Sequence, residues 1–355
     1  MLTVKQERAY IDKMIAEDKQ LNERKNAYYR QALIEIRNHL NYFYLAYQEN
    51  EVLSIASLLG HSSQQDQAEY LQTSQSVQPS DDESDKRKRG FNATAGYDKL
   101  HLLMASIGLS VLGASMKTQK LLNGSLHEEF SNEVKRQYSN LPVHKQPYTV
   151  TPRDLVYSDA KLRKYGNIDR ILSKAEKIIP TTVNGEQWSN TIWMYNDNLV
   201  NNVQNIVKKS LLGGLTKEDL SKLFDDIRPT PHTITGAVQQ TDSVIERIVR
   251  TERARVMDDA QMAVFKDQGV QWFNWVTEAG ACGKCIDLES GSPYRTDSPD
   301  APTIPESSHA NCRCSKVATS SPDTTVIKII AQSTPALMSA TNKTEASTGS
   351  NTKKS

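Results

Sequence analysis

The sequence predicts a mainly α-helical protein that ends in a small α+β module, in which short strands follow the helices and surround a cysteine cluster. Three observations lead there. Apolar residues recur at helical spacing over most of the chain from residue 5 to residue 267. The run Val270–Thr277 is aromatic and β-branched, the signature of a strand. All four cysteines then fall between Cys282 and Cys314, in sequence rich in Gly, Ser and Pro.

Composition sets the outer limits. A chain of 355 residues has room for two or three domains. Its hydrophobic content of 37% and mean hydropathy of −0.58 suit a helical protein with exposed or disordered parts better than one compact enzyme. The 43 Lys+Arg against 42 Asp+Glu leave a net charge of +1, so no global field points to nucleic acid. The opening residues, Met1 to Arg8, lack the apolar core of a signal peptide, so synthesis in the cytoplasm is expected, where cysteines read as metal ligands or free thiols before disulfides.

Residues 1–59 read as an amphipathic helical region, one long helix or a helical hairpin. Tyr10, Met14, Leu21, Tyr28, Leu33, Ile36, Leu40 and Tyr44 supply the repeat, and no Pro or Gly interrupts before Gly60. Its tyrosines and Phe43 form either a helix–helix seam or a partner surface. Residues 60–98 are polar, and Asp81–Asp85 is followed by the basic Lys86–Arg89. That composition predicts a linker or mobile loop, with the two charge runs neutralising each other or the basic one touching DNA.

Residues 99–184 return to helix. Leu100–Met116 is apolar but shorter than the roughly 20 residues of a membrane span, and it has no anchoring residues at both ends. A buried helix is expected there, and no membrane. Pro142, Pro147 and Pro152 act as breakers, and a short helical piece ends at Pro180. In residues 185–317, Trp188, Ile192, Tyr195, Leu199, Val203, Ile206 and Leu211 share one helix face, closed by Gly213-Gly214. Thr216 to Asp219 resembles a capping box, and a further helix spans 242–267. Its four arginines, Arg247, Arg250, Arg253 and Arg255, form either a phosphate-facing ridge or a solvated face paired with Glu246, Glu252 and Asp258. The strand follows, with burial expected on both faces. Residues 318–355 read as a disordered tail, apart from a possible edge strand at Val326–Ile330.

The chemistry concentrates in Cys282-Gly283-Lys284-Cys285 and His309-Ala310-Asn311-Cys312-Arg313-Cys314. A Cys-x-x-Cys turn aims two sulfurs one way, and Cys312 and Cys314 share a face across Arg313. Four thiolates, or three with His309, can hold a structural zinc; reduced thiols without metal are the alternative. A redox dithiol would need a helix starting within the motif, and the Gly291–Pro293 region argues against one. A His-Asn-His nuclease lacks its leading histidine, with only His232 upstream. Zinc deaminase order is absent.

Trp188–Trp193, Val249–Val256, Gly269–Trp272, Cys282-x-x-Cys285-x-x-Leu288 with Gly291, and His309-x-x-Cys312-Arg313-Cys314 together resemble the phage head-morphogenesis (Mu F-like) family of minor head, or minor capsid, proteins. Ala310 departs from the proline common at that place. The resemblance covers 185–317 and implies a non-enzymatic virion component, made in the host cytoplasm and placed in the procapsid interior or at the portal vertex. The implied partners are portal, capsid and scaffold proteins, with several copies per virion and a possible role in DNA packaging or delivery. The competing expectation is a prophage toxin-carrier or metal-dependent nuclease-like protein, against which stands the small number of residues after Val317.

Overall fold

The computed structural model describes residues 1–141, 168–181 and 187–320. Two long helices organise it. Helix α1 (Val4–Tyr47) starts at a capping box between Thr3 and Gln6 and runs without a break for 44 residues, about 65 Å at the helical rise; the helical region is one helix and not a hairpin. Ile11, Met14, Leu21, Tyr29, Ala32, Ile36, Leu40 and Phe43 are its buried stripe, and Glu7, Asp18 and Lys25 fall on that same stripe.

After β1 (Val52–Leu53) and α2 (Ile55–Leu58) come α3 (Gln64–Ser76) and α4 (Asp82–Thr94). These two helices correct the expectation of a linker over 60–98. Ser63 and Asp81 cap their first turns, and both helices pack on α5 (Lys99–Asn140). Few apolar groups suffice because polar ones are shared: Tyr70 Oη and Ser74 Oγ both donate to Asn92 Oδ1, at 2.6 and 3.0 Å. The charge runs are consumed locally and by a neighbour. Arg87 binds Glu83, and also Asp197 at 2.7 Å, and Arg89 binds Asp85.

Helix α5 runs antiparallel to α1: Arg136 near its end meets Glu7 near the start of α1, while Lys99 at its start lies over the Tyr47 ring. Every residue from Leu102 to Leu112 is buried, enclosed by neighbouring helices. The apolar stretch is thus the centre of a helical bundle. Ser106 and Ser110 satisfy their hydroxyls on the carbonyls of Leu102 and Ser106, at 3.0 and 3.2 Å.

A short helix α6 (Ala175–Ile178) precedes α7 (Trp188–Gly213), which buries the expected face and ends before Gly214 at φ +82°. Then β2 (Leu215–Thr216) pairs antiparallel with β1, joining the far end of α1 to the end of α7. Thr216 caps α8 (Lys217–Lys222), its Oγ1 accepting from the Asp219 amide at 3.1 Å. Helix α9 (Ile234–Asp267) begins earlier than the expected 242, because Thr233 caps it through the Gly236 amide.

The C-terminal module is a three-stranded antiparallel sheet in the order β4-β3-β5, with β3 (Trp272–Val276) central, β4 (Tyr294–Arg295) and β5 (Ser315–Thr319). Phe273, Trp275 and Val276 are buried, whereas Trp272 and Asn274 are only half-buried, so one face is less covered than expected. Between β3 and β4 lies α10 (Gly283–Ser290). The expected tail starts too early, because β5 carries the chain through Thr319 in its pairing with β3; the breakers Pro142, Pro147 and Pro152, the Val326–Ile330 segment and the tail from 321 lie outside the described residues.

Candidate metal centre

The two cysteine motifs converge. Cys282 is the N-cap of α10 with extended backbone (φ −72°, ψ 165°) and is exposed. One helical turn on, Cys285 points inward and is fully buried. The second motif arrives through a turn in which the Cys312 amide donates to the His309 carbonyl at 3.3 Å and Asn311 adopts φ +70°, a conformation asparagine tolerates better than most residues. Cys312 and Cys314 are both buried and lead directly into β5. Ala254 of α9, Trp275 of β3 and Ile304 wall the cluster.

The Cys285 and Cys312 sulfurs are 3.7 Å apart. Four sulfurs around a tetrahedral zinc, each at about 2.3 Å, are about 3.8 Å from one another, so this separation suits a common ion. Two triads form, Cys285 with Cys312 and Cys314, and Cys285 with Cys282 and His309, each with its ligand atoms within 4.8 Å. Cys285 belongs to both. The five residues expected as ligands are therefore brought together and can hold a metal ion, three sulfurs buried and two groups at the surface.

The backbone is arranged for thiolates. The Cys285 and Lys284 amides lower the Cys282 thiol, and the Cys314 amide donates to Cys312 Sγ at 3.4 Å. Hydrogen bonds from Cys314, outweighing burial, bring Cys312 down to about 6. Burial drives Cys285 up to about 12, and the bond to Cys312, with burial, drives Cys314 up as well. Negative charge is thus favoured on Cys282 and Cys312 and disfavoured on Cys285 and Cys314; a divalent cation would favour the thiolate form of each ligand.

One expectation needs correction. A helix does start within Cys-Gly-Lys-Cys, because Gly291 ends α10 only after two turns. The objection to a redox dithiol on helix grounds therefore falls. The third and fourth sulfurs beside Cys285 are what distinguish this cluster from a simple dithiol.

Of the four arginines of α9, Arg247 is exposed as a solvated face predicts, but the other three are not. Arg250 pairs with Glu278 at 2.6 Å, and the other Glu278 oxygen accepts from the Arg313 amide at 3.0 Å. Thr251 Oγ1 accepts from the Asn311 amide at 2.8 Å. Arg253, 6% exposed, binds Asp18 of α1 and Glu129 of α5. Arg255 binds Glu252 at 2.8 Å as expected and also the Ile178 and Ile179 carbonyls. Arg250, through Glu278, and Thr251 thus prop the cysteine loops from behind, and Arg253 and Arg255 are too buried to reach phosphate.

Arg313 completes the arrangement. It lies between two cysteines yet is fully buried, and its guanidinium binds Asp18. Spacing placed it on the face opposite the sulfurs, and the structure makes that face a second interior. Asp18, Glu129 and Glu278 were missed by motif reasoning. The available signal was a charged residue, Asp18, on the apolar stripe of α1.

Comparison with protein-family models, with curated proteins and with solved structures found no match.

Proposed function

We propose that the chain is a minor head protein of a tailed phage, an assembly component of the portal vertex, in which four ligands drawn from Cys282, Cys285, Cys312, Cys314 and His309 hold one structural zinc ion. The observation that carries this reading is the meeting of the two cysteine motifs on a floor made by the Val249–Val256 run. Those are the pieces on which the family resemblance rests, and here they form one physical unit.

The chemistry favours cross-linking over turnover. A catalytic zinc keeps an open position towards a substrate cleft. The groove of about 970 Å³ between α1 and α5 is lined by none of the four cysteines and not by His309. Zinc, when bound, would tie α10, the 309–314 turn and the start of β5 together. The long bundle of α1 and α5 would then present an extended surface to portal and capsid proteins.

The test is co-expression with a tailed-phage portal protein, followed by metal analysis of the purified assembly. Co-migration with the portal and about one zinc per chain are expected. Hydrolysis of DNA by the purified chain alone, without portal association, would overturn the assembly reading in favour of the nuclease-like one.

A further inference from the structure

Four parts of the chain meet at Asp18. Arg313 comes from the cysteine loop, Arg253 from α9, and Glu129, bound by Arg253, from α5. Two guanidinium groups balance two carboxylates in an interior where each residue is at most 6% exposed. Withdrawal of Arg313 would leave Asp18 with Arg253 alone, which also serves Glu129.

The contact extends along one face of α1. Glu7 accepts from Ser315 Oγ of β5 at 2.6 Å. Arg8 pairs with Glu289 of α10 at 2.8 Å. Ile11 packs with Val276 and Val317, and Val4 and Ile15 lie against them. Positions 4, 7, 8, 11, 15 and 18 recur at helical spacing, so the first third of α1 lays a single stripe on the cysteine module.

We propose that zinc at the cysteine centre locks the first third of α1, residues 4–18, onto the C-terminal module, so that ion occupancy and docking of this helix are linked. The linkage rests on the reading of the cysteines as a metal centre. Arg313 is flanked by two ligands, so the ion that orients Cys312 and Cys314 also aims Arg313 at Asp18. The coupling is reciprocal: α1 held in place favours the loop geometry that binds the ion, and the ion favours a docked α1. Residues 25–47 of α1 pack on the bundle alone and stand outside the lock.

The experiment uses the full chain loaded with zinc and competed with a chromogenic chelator, in parallel with hydrogen exchange. For the wild type, zinc removal should raise exchange of residues 4–18 together with 278–316, leave 25–47 protected, and reverse on adding zinc. Asp18→Asn, which touches no ligand, should weaken zinc retention by about 10-fold, the usual scale for residues that orient ligands. Ile11→Ala, which trims only the helix–sheet contact, should shift retention in the same direction and serves if Asp18→Asn folds poorly. Zinc bound with unchanged affinity in both variants, and α1 exchange indifferent to the ion, would overturn the linkage while leaving the metal centre standing. A wild-type chain that binds no zinc would overturn both.

Discussion

The Arg313 guanidinium reaches Asp18 Oδ2 at 2.6 Å across 295 positions of chain, with both side chains at most 5% exposed. Asp18 also holds Arg253, so a single carboxylate on α1 neutralises two arginines from two other elements. Loss of that carboxylate should do more harm than loss of either arginine. Asp18→Ala is expected to cost about 3–5 kcal/mol, the scale for stranding buried charge. Arg313→Met, which leaves Asp18 paired with Arg253, should cost clearly less. Urea denaturation of the two variants beside wild type checks the order, and a larger loss from Arg313→Met would contradict it.

Glu129 gives the interior a pH dependence. Burial, with Glu133 and Asp18 nearby, outweighs Arg253 and Arg313 and raises its carboxyl from 4.5 to about 7. The folded state then binds the proton more tightly than the unfolded chain. This group's contribution to stability is therefore most favourable below the unfolded value and declines as pH rises towards 7. Glu129→Gln should remove that decline, gaining on wild type by up to about 3 kcal/mol between pH 4 and pH 8. Thermal melts of both proteins across that range would show it; parallel pH profiles would refute it.

Gly236 in the first turn of α9 faces the Thr230 carbonyl so closely that an added Cβ would lie 1.9 Å from the oxygen. Alanine normally gains about 1 kcal/mol over glycine within a helix. Here the obstruction is backbone, which cannot swing aside, so the steric term should win. Gly236→Ala is expected to destabilise by about 1–3 kcal/mol, measured as a lower denaturation midpoint. A stabilised variant would mean that the turn before α9 yields easily.

Thiol reactivity should report on the centre directly. Cys282 is exposed, and the Cys285 amide favours its thiolate. The other three cysteines are buried. In metal-free protein, iodoacetamide should modify Cys282 first and the three buried thiols more slowly, through opening of the cysteine loops. Zinc should then slow the reaction at Cys282. Mass spectrometry of the alkylated peptides decides; equal labelling of all four cysteines in the folded chain would deny the burial described here.

Much of the architecture was legible in local pattern. The stripe from Met14 to Tyr44, the Trp188–Leu211 face with its glycine stop, the Thr216 cap and the Trp272–Val276 strand all depend on neighbours within one or two turns of chain. The cysteine motifs were legible for the same reason, since each pair sits within a few residues. Helices α3 and α4 were not, because their composition is polar and their stability comes from shared acceptors such as Asn92 and from docking on α5. The short helix at Cys282 was obscured by the glycine, serine and proline beyond it.

Local periodicity thus settled the long amphipathic helices, and motif spacing the two sulfur pairs, because a repeat of three or four residues already decides which side of a helix avoids water. The fate of the charges was decided only in three dimensions. Glu129, Arg253 and Arg313 carry no mark in one dimension that distinguishes a solvated ion pair from a buried one, and Asp18 shows only its place on an apolar stripe. Burial of a charge is tolerable only where an opposite charge arrives from elsewhere in the chain, and that meeting belongs to the tertiary fold.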